Sequence, residues 1–428
     1  MSILWRSSFP ILLVATQAPS RAMAQEPVAP ATAGAAPVDA VAQAESFDDL
    51  AVAVADAPGA SAAGSAAAPV APAASGGGFA SAMNPALSAI LDVAFAYFSE
   101  EDPPQAGHHD PKQNGFNWQG LELALTSSVD PYLRLDVHLG FCHEGAHVEE
   151  AYATTLALPA GLQARFGKFL TRFGRLNATH MHTWNFADQP FVLGRLFGGE
   201  GERGLGAELS LMLPLPWSVE LVGSATEAAG EDSARSFLGA EERAMDSLLD
   251  PLYTTAVKQF FPLSNDWSLA WGLSANFGPH ATGDDHRAEI YGTDLYLKFR
   301  PLRRPEPRVV SLHSEWFYRR RQIAGGLLQD YGQFTELFWR FEERWATAAR
   351  YELGSPTYDL AGAFAPDPLD PAWTNHRHRM SASLSFYPTE FSRFRWQWGG
   401  DRVTPERTIV STFLTAEVSA GAHGAHSF

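Results

Sequence analysis

Fourteen histidines stand in this 428-residue chain, and many of them sit beside acids. His108-His109-Asp110, His143-Glu144 with His147, and Asp284-Asp285-His286 each put imidazole next to carboxylate. Those are ligand types that zinc accepts. Ten of the histidines fall between the strands read below: His108, His109, His143, His147, His180, His182, His280, His286, His376 and His378. His423 and His426 form another pair near the end of the chain. Spacing within a loop does not dictate geometry, so two readings stay open. One is a set of solvated imidazoles that titrate near neutral pH. The other is a zinc-concentrating mouth built from His108, His109, His143, His147, His180 and His182, with His423 and His426 at the periplasmic end.

Arginine is the second chemical group. Arg350, Arg379, Arg393 and Arg395 fall on three consecutive strands and face the same way as Arg134. Guanidinium forks match phosphate oxygens, so a basic stripe could guide phosphate-like anions. The alternative is charge pairing across a lumen with acids such as Asp92, Glu122, Asp136, Glu208, Asp294, Glu315 and Glu352.

The elements that carry these groups show a period of two. In Leu133-Arg134-Leu135-Asp136-Val137-His138-Leu139-Gly140-Phe141 every odd position is apolar. Alternation of that kind is a strand with one apolar and one wet face. It recurs about sixteen times from Leu87 onward, with tight turns and longer loops in strict alternation. The turns carry Asp130-Pro131, Pro159-Ala160-Gly161, Pro214-Leu215-Pro216 and Ser264-Asn265-Asp266, residues that cannot extend a ladder or that favour turns. The outward residues are Leu, Phe, Trp and Val, which a soluble sandwich would not expose. The pattern predicts an all-β fold: a transmembrane antiparallel up-and-down β-barrel of about 16 strands, spanning residues 83–428, in a bacterial outer membrane. A barrel of that size leaves an aqueous channel. The longest loop, 170–203, is expected to fold inward and narrow it, with Lys168 and Arg175 near the constriction. The twelfth strand, 327–339, has the most mixed face.

Ahead of the barrel, residues 1–24 read as a signal peptide that ends at Ala22-Met23-Ala24. Residues 25–82 are rich in Ala, Pro and Gly and read as a disordered periplasmic tether. The net charge of −17 without a basic run argues against nucleic acid as a partner. A single cysteine, Cys142, excludes an internal disulfide. Gly204-Leu205-Gly206 lacks a nucleotide-binding context, and no Gly-x-Ser-x-Gly elbow occurs, so the chain does not read as an enzyme.

Phe166-Gly167-Lys168-Phe169, Phe173-Gly174-Arg175-Leu176-Asn177, His180 and Asp188-Gln189-Pro190-Phe191 resemble the phosphate-selective porin O and P family. There, a Gly-Lys-Phe strand enters a long constricting loop. The barrel and its His-bearing end, Gly421-Ala422-His423-Gly424-Ala425-His426-Ser427-Phe428, also resemble proteobacterial proteins labelled zinc-regulated TonB-dependent outer membrane receptors. The resemblance implies an outer-membrane channel or receptor for a small ion. A TonB-dependent transporter needs about 22 strands and a folded plug, for which residues 25–82 are too short. The expectation is therefore a porin-like channel for small ions or solutes, phosphate-like anions or zinc among them. It would work in the outer-membrane bilayer as a homotrimer by analogy, without a required cofactor. The alternative is a metal-capturing receptor that uses the loop histidines.

Overall fold

A computed structural model describes residues 85–421, apart from 144, 242 and 302–307. The proposed leader and tether and the pair His423 and His426 lie outside the described residues. The strands are β1 (Ala86–Phe98), β2 (Gly115–Ser128), β3 (Leu133–Cys142), β4 (Gly145–Thr155), β5 (Leu162–Leu170), β6 (Arg203–Leu213), β7 (Ser218–Thr226) and β8 (Leu252–Pro262). They continue as β9 (Trp267–Pro279), β10 (Arg287–Phe299), β11 (Val309–Ile323), β12 (Gly326–Glu342), β13 (Trp345–Gly354), β14 (Arg377–Thr389), β15 (Ser392–Thr404) and β16 (Arg407–Gly421). Each pairs antiparallel with its chain neighbours, and β1 pairs with β16 from Ser88↔Gly421 to Phe98↔Ser411, which closes the barrel.

The expected turn chemistry is present at one rim. Asp130 Oδ1 accepts from the backbone N–H groups of Tyr132 and Leu133 at 2.7 and 2.8 Å. Ala160 turns the β4–β5 connection with φ of 60°. The outer wall exposes Leu87, Phe95, Leu209, Leu273, Trp316, Trp339, Trp396 and Leu414. An apolar exterior on a closed barrel has no stable place in water. It belongs in a bilayer, with aromatic residues at the two interfaces, and this is an outer-membrane barrel.

The interior departs from a simple wet lumen. Segment 171–202 folds into the barrel, and its one α-helix, α1 (Phe191–Leu196), is buried throughout. Phe173, Leu176, Phe191, Val192, Leu193 and Phe197 pack on Leu252, Ile290, Phe317 and Phe334 from the inward faces of β8, β10, β11 and β12. Phe237 and Leu238, from the β7–β8 loop, join the same cluster. This internal apolar core explains the mixed face of β12, where Leu328 and Phe334 alternate with the outward Tyr331 and Leu337.

Away from the hairpin turns, two pairings shift register. The β1–β2 register shifts between Asp92 and Val93 and leaves Gln119 as an extra residue. The β3–β4 register shifts between His138 and Leu139 and leaves Glu149 as another. Each is a β-bulge, which re-aims the side chains around it.

Candidate functional site

The bulge at Glu149 puts two consecutive carboxylates, Glu149 and Glu150, on the inner face together with His147. The neighbouring β3 contributes His138 and β2 contributes Glu122. The folded-in segment supplies His180, His182 and Glu200. The result is a continuous array of imidazoles and carboxylates on the inner wall.

One end gathers around Glu149 Oε1. His147 Nε2 lies 3.6 Å from it and His109 Nε2 3.7 Å. Glu200 Oε1 stands 3.7 Å from His109 Nε2 and 3.8 Å from His147 Nε2. The other end gathers around Glu122. Its Oε1 accepts from His138 Nδ1 at 2.7 Å, and its Oε2 lies 3.2 Å from His182 Nδ1 and 3.5 Å from His180 Nδ1. His180 Nδ1 is also 3.4 Å from Glu149 Oε2, so Glu149 joins the two ends. His109–His147–Glu149 and Glu122–His138–His180 each bring three potential ligand atoms within 4.8 Å of one another.

The outer partners set the imidazole orientations. His109 Nδ1 faces the Gln119 carbonyl at 2.7 Å, and His180 Nε2 faces Glu150 Oε2 at 2.8 Å. Those contacts turn His109 Nε2 and His180 Nδ1 toward the array, as outer partners of metal-binding histidines do. Burial alone would lower the His180 pKa. The charge of Glu122 and hydrogen bonds to Glu122, Glu149 and Glu150 outweigh burial and hold it well above the ordinary range. Arg203 Nη2 pairs with Glu200 Oε2 at 2.6 Å beside the array. A cavity of about 60 Å³ opens here, lined by His109, Glu122, Glu149, His180, Glu200 and Arg203 among others.

His108 flanks this array, with Nδ1 3.6 Å from Glu200 Oε1 and Nε2 3.3 Å from Cys142 Sγ. His143 is exposed in the β3–β4 turn and is not among the gathered ligand atoms. His147 lies in β4 rather than in an external loop, and His180 and His182 lie within the barrel. His378 lies in β14, hydrogen-bonded to Tyr351, and is likewise no loop residue. The sequence reading missed His138, Glu149, Glu150 and Glu200 as members. The consecutive pair Glu149-Glu150 inside a strand was the available signal, because two successive inward residues require a bulge.

The arginine stripe proves to be a clamp. Arg350 Nη2 and Arg379 Nη1 hold the two oxygens of Asp188 at 2.7 and 3.0 Å. Arg379 also pairs with Glu352 at 2.6 Å. Arg393 donates to the carbonyls of His182 and Trp184 and pairs with Glu417. Arg395 donates to the Trp184 carbonyl at 3.0 Å. These guanidinium groups contact the folded-in segment and inner-wall acids. Arg134 pairs with Asp136 at 2.8 Å. Arg175 lies over the Tyr296 ring at 4.2 Å, inside the barrel. Lys168 departs from the expected lumen position. It shares the parity of the exposed Phe166, and its Nζ donates to the Val148 carbonyl at 2.8 Å.

An uncharacterized protein of Aquifex aeolicus (strain VF5) is 30% identical over 386 residues, covering 80% of each chain. The chain belongs to the family of that protein. No family model matches the chain. Among solved structures, the outer membrane channel DcaP of Acinetobacter baumannii superposes with a TM-score of 0.53 at 12% identity, over 80% of this chain and 98% of that one. The trimer form of OmpT from Vibrio cholerae superposes with a TM-score of 0.51 at 9% identity, over 79% of this chain and 99% of that one. The family member thus shares the fold of outer-membrane porins and channels.

Proposed function

We propose that the chain is a porin-like channel for small ions, narrowed by segment 170–203, and that it favours divalent cations of the zinc class over phosphate-like anions. The observation that carries the first half is the clamp on Asp188 by Arg350 and Arg379, which pins the segment across the lumen. The same clamp removes the basic stripe from solute binding. The His/Glu array supplies the cation preference, because imidazole with carboxylate suits zinc. The trimer form of OmpT supports a homotrimer here as well.

Planar-bilayer recording of the refolded protein tests this reading. Deleting 177–188 raises single-channel conductance if the segment is the constriction, and unchanged conductance rejects it. Reversal potentials in salt gradients decide the ion sign, and an anion preference rejects the cation reading.

The array also favours a second reading, a metal-capturing surface that conducts little. It predicts calorimetric zinc binding to a barrel whose conductance is low both with and without Asp188.

A further inference from the structure

We infer that the array is a two-site metal centre in which Glu149 is the shared ligand, offering one oxygen to each ion. The inference rests on the divalent-cation reading of the same residues. The first site takes His109 Nε2, His147 Nε2 and Glu149 Oε1, with Glu200 Oε1 facing both imidazoles. The second takes Glu122, His138 Nδ1, His180 Nδ1 and Glu149 Oε2.

Four observations support it. The separations converging on Glu149 are 3.4–3.7 Å. A tetrahedral ion with arms of about 2.1 Å has ligand–ligand edges of roughly 3.4 Å. Small rotations of the imidazoles would therefore complete the first site, and in the second His138 Nδ1 would exchange its 2.7 Å hydrogen bond to Glu122 Oε1 for the ion. Second, His147 Nε2 is shut off from solvent and faces Glu149 Oε1 at 3.6 Å and Glu200 Oε1 at 3.8 Å, contacts longer than a good hydrogen bond.

Third, the wall makes room for the ligands of the first site. Gly140 stands behind the first site, and a Cβ there would fall 2.2 Å from Glu149 Oε1 and 2.7 Å from His147 Nε2. Fourth, the sites are rich in carboxylate. Glu122, Glu149, Glu150 and Glu200 surround them, and Arg203 pairs with Glu200 at 2.6 Å, which leaves a net negative charge for cations to offset.

The arrangement couples metal to the segment inside the barrel. Glu122, His138 and Glu149 stand on the wall strands β2, β3 and β4, whereas His180 and Glu200 belong to the folded-in segment. Each ion would thus tie segment 170–203 to the wall.

The test is equilibrium dialysis of the refolded full chain in detergent with zinc ions alone, and cobalt ions as a spectroscopic stand-in. Wild type is expected to bind about two ions per chain. His109→Ala and His138→Ala are each expected to keep about one, with different cobalt spectra. Glu149→Gln should weaken both sites at least ten-fold, in line with the cost of losing a metal-site partner. One ion per chain in wild type, or a Glu149→Gln loss confined to one site, overturns the shared-ligand inference while leaving the cation reading in place. No ion at all overturns both, and conductance measured on the same samples still decides the channel separately. Circular dichroism of every variant confirms the β-barrel, and Glu149→Asp, which keeps a shorter carboxylate, should recover part of the affinity.

Discussion

Arg350 Nη2 lies 2.7 Å from Asp188 Oδ1, across 162 residues of chain, and fastens the middle of segment 170–203 to β13. Burial alone would raise the Asp188 pKa, but Arg350 and Arg379 outweigh it and hold the carboxyl below its usual range. Removing one partner of a buried charge pair typically costs about 3–5 kcal/mol, because the other charge is left uncompensated. Asp188→Asn keeps the shape and removes the charge from both guanidinium groups. It is expected to lower the unfolding free energy by about 3 kcal/mol and to raise single-channel conductance as the segment loosens. Guanidinium titration and bilayer recording read the two effects. A variant with wild-type stability and conductance would show that the clamp holds nothing.

His280 sets a pH dependence in the β9–β10 connection. It follows β9, with Nδ1 2.8 Å from Thr282 Oγ1 and 3.0 Å from the Gln322 carbonyl. Burial lowers its pKa to about 4, with help from Arg321 and Arg319. A histidine whose folded pKa is depressed contributes stability above its unfolded value, and that contribution is lost as pH falls toward the folded one. The window therefore runs from about pH 6.5 down to about pH 4, and the whole effect is about 3 kcal/mol. His280→Gln, which keeps a polar side chain but does not titrate, should flatten the stability profile between pH 7 and pH 4.5. Denaturant midpoints at several pH values measure it, and an unchanged slope excludes His280 as its source.

The barrel was legible in the sequence because alternation is a local property, repeated strand after strand. Leu133, Leu135 and Val137 face lipid whatever fills the interior. The interior was less legible, because it depends on which distant residues meet. Phe334 and Phe317 look like breaks in a wet face until Phe173 and Phe197 arrive from 120 to 161 positions earlier in the chain. The histidine and glutamate array was half legible. His109, His147 and His180 were named for their chemistry, but His138 read as an ordinary inward polar residue. Glu149 and Glu150 were placed in one strand without the bulge that turns both inward. The arginines could be read as facing inward, toward acids or toward anions, but their contacts with Asp188 and the Trp184 carbonyl could not, since those come from a loop whose path no local pattern describes.

The internal core makes a prediction that separates the two faces of β12. Phe334 is fully buried against Phe317 at 6.4 Å between ring centroids, whereas Leu337 is 50% exposed on the outer wall. Phe334→Ala should cost about 3–5 kcal/mol, the transfer and cavity terms of a buried aromatic side chain. Leu337→Ala should cost less than about 1 kcal/mol, because its surroundings fill in around a smaller side chain. Denaturant titration of both variants in the same detergent compares them directly. Equal losses would mean that the packing within the lumen contributes no more than the lipid-facing wall.

Gly140 offers a way to block the first metal site without removing any ligand. Its backbone is an ordinary strand conformation, and the atoms that an added Cβ would meet are the ends of two side chains, Glu149 and His147. Those ends can swing aside, so Gly140→Ala should fold, with a change in stability below about 1 kcal/mol. Once displaced, Glu149 Oε1 and His147 Nε2 no longer converge with His109 Nε2. Zinc affinity at the first site should then fall at least about ten-fold, and the Glu122–His138–His180 site should keep its ion. Competition against a chromophoric chelator resolves the two steps. If both sites keep wild-type affinity, these ligand atoms do not form the first site, and the gathering of histidines behind Gly140 is a hydrogen-bonded wall rather than a metal centre.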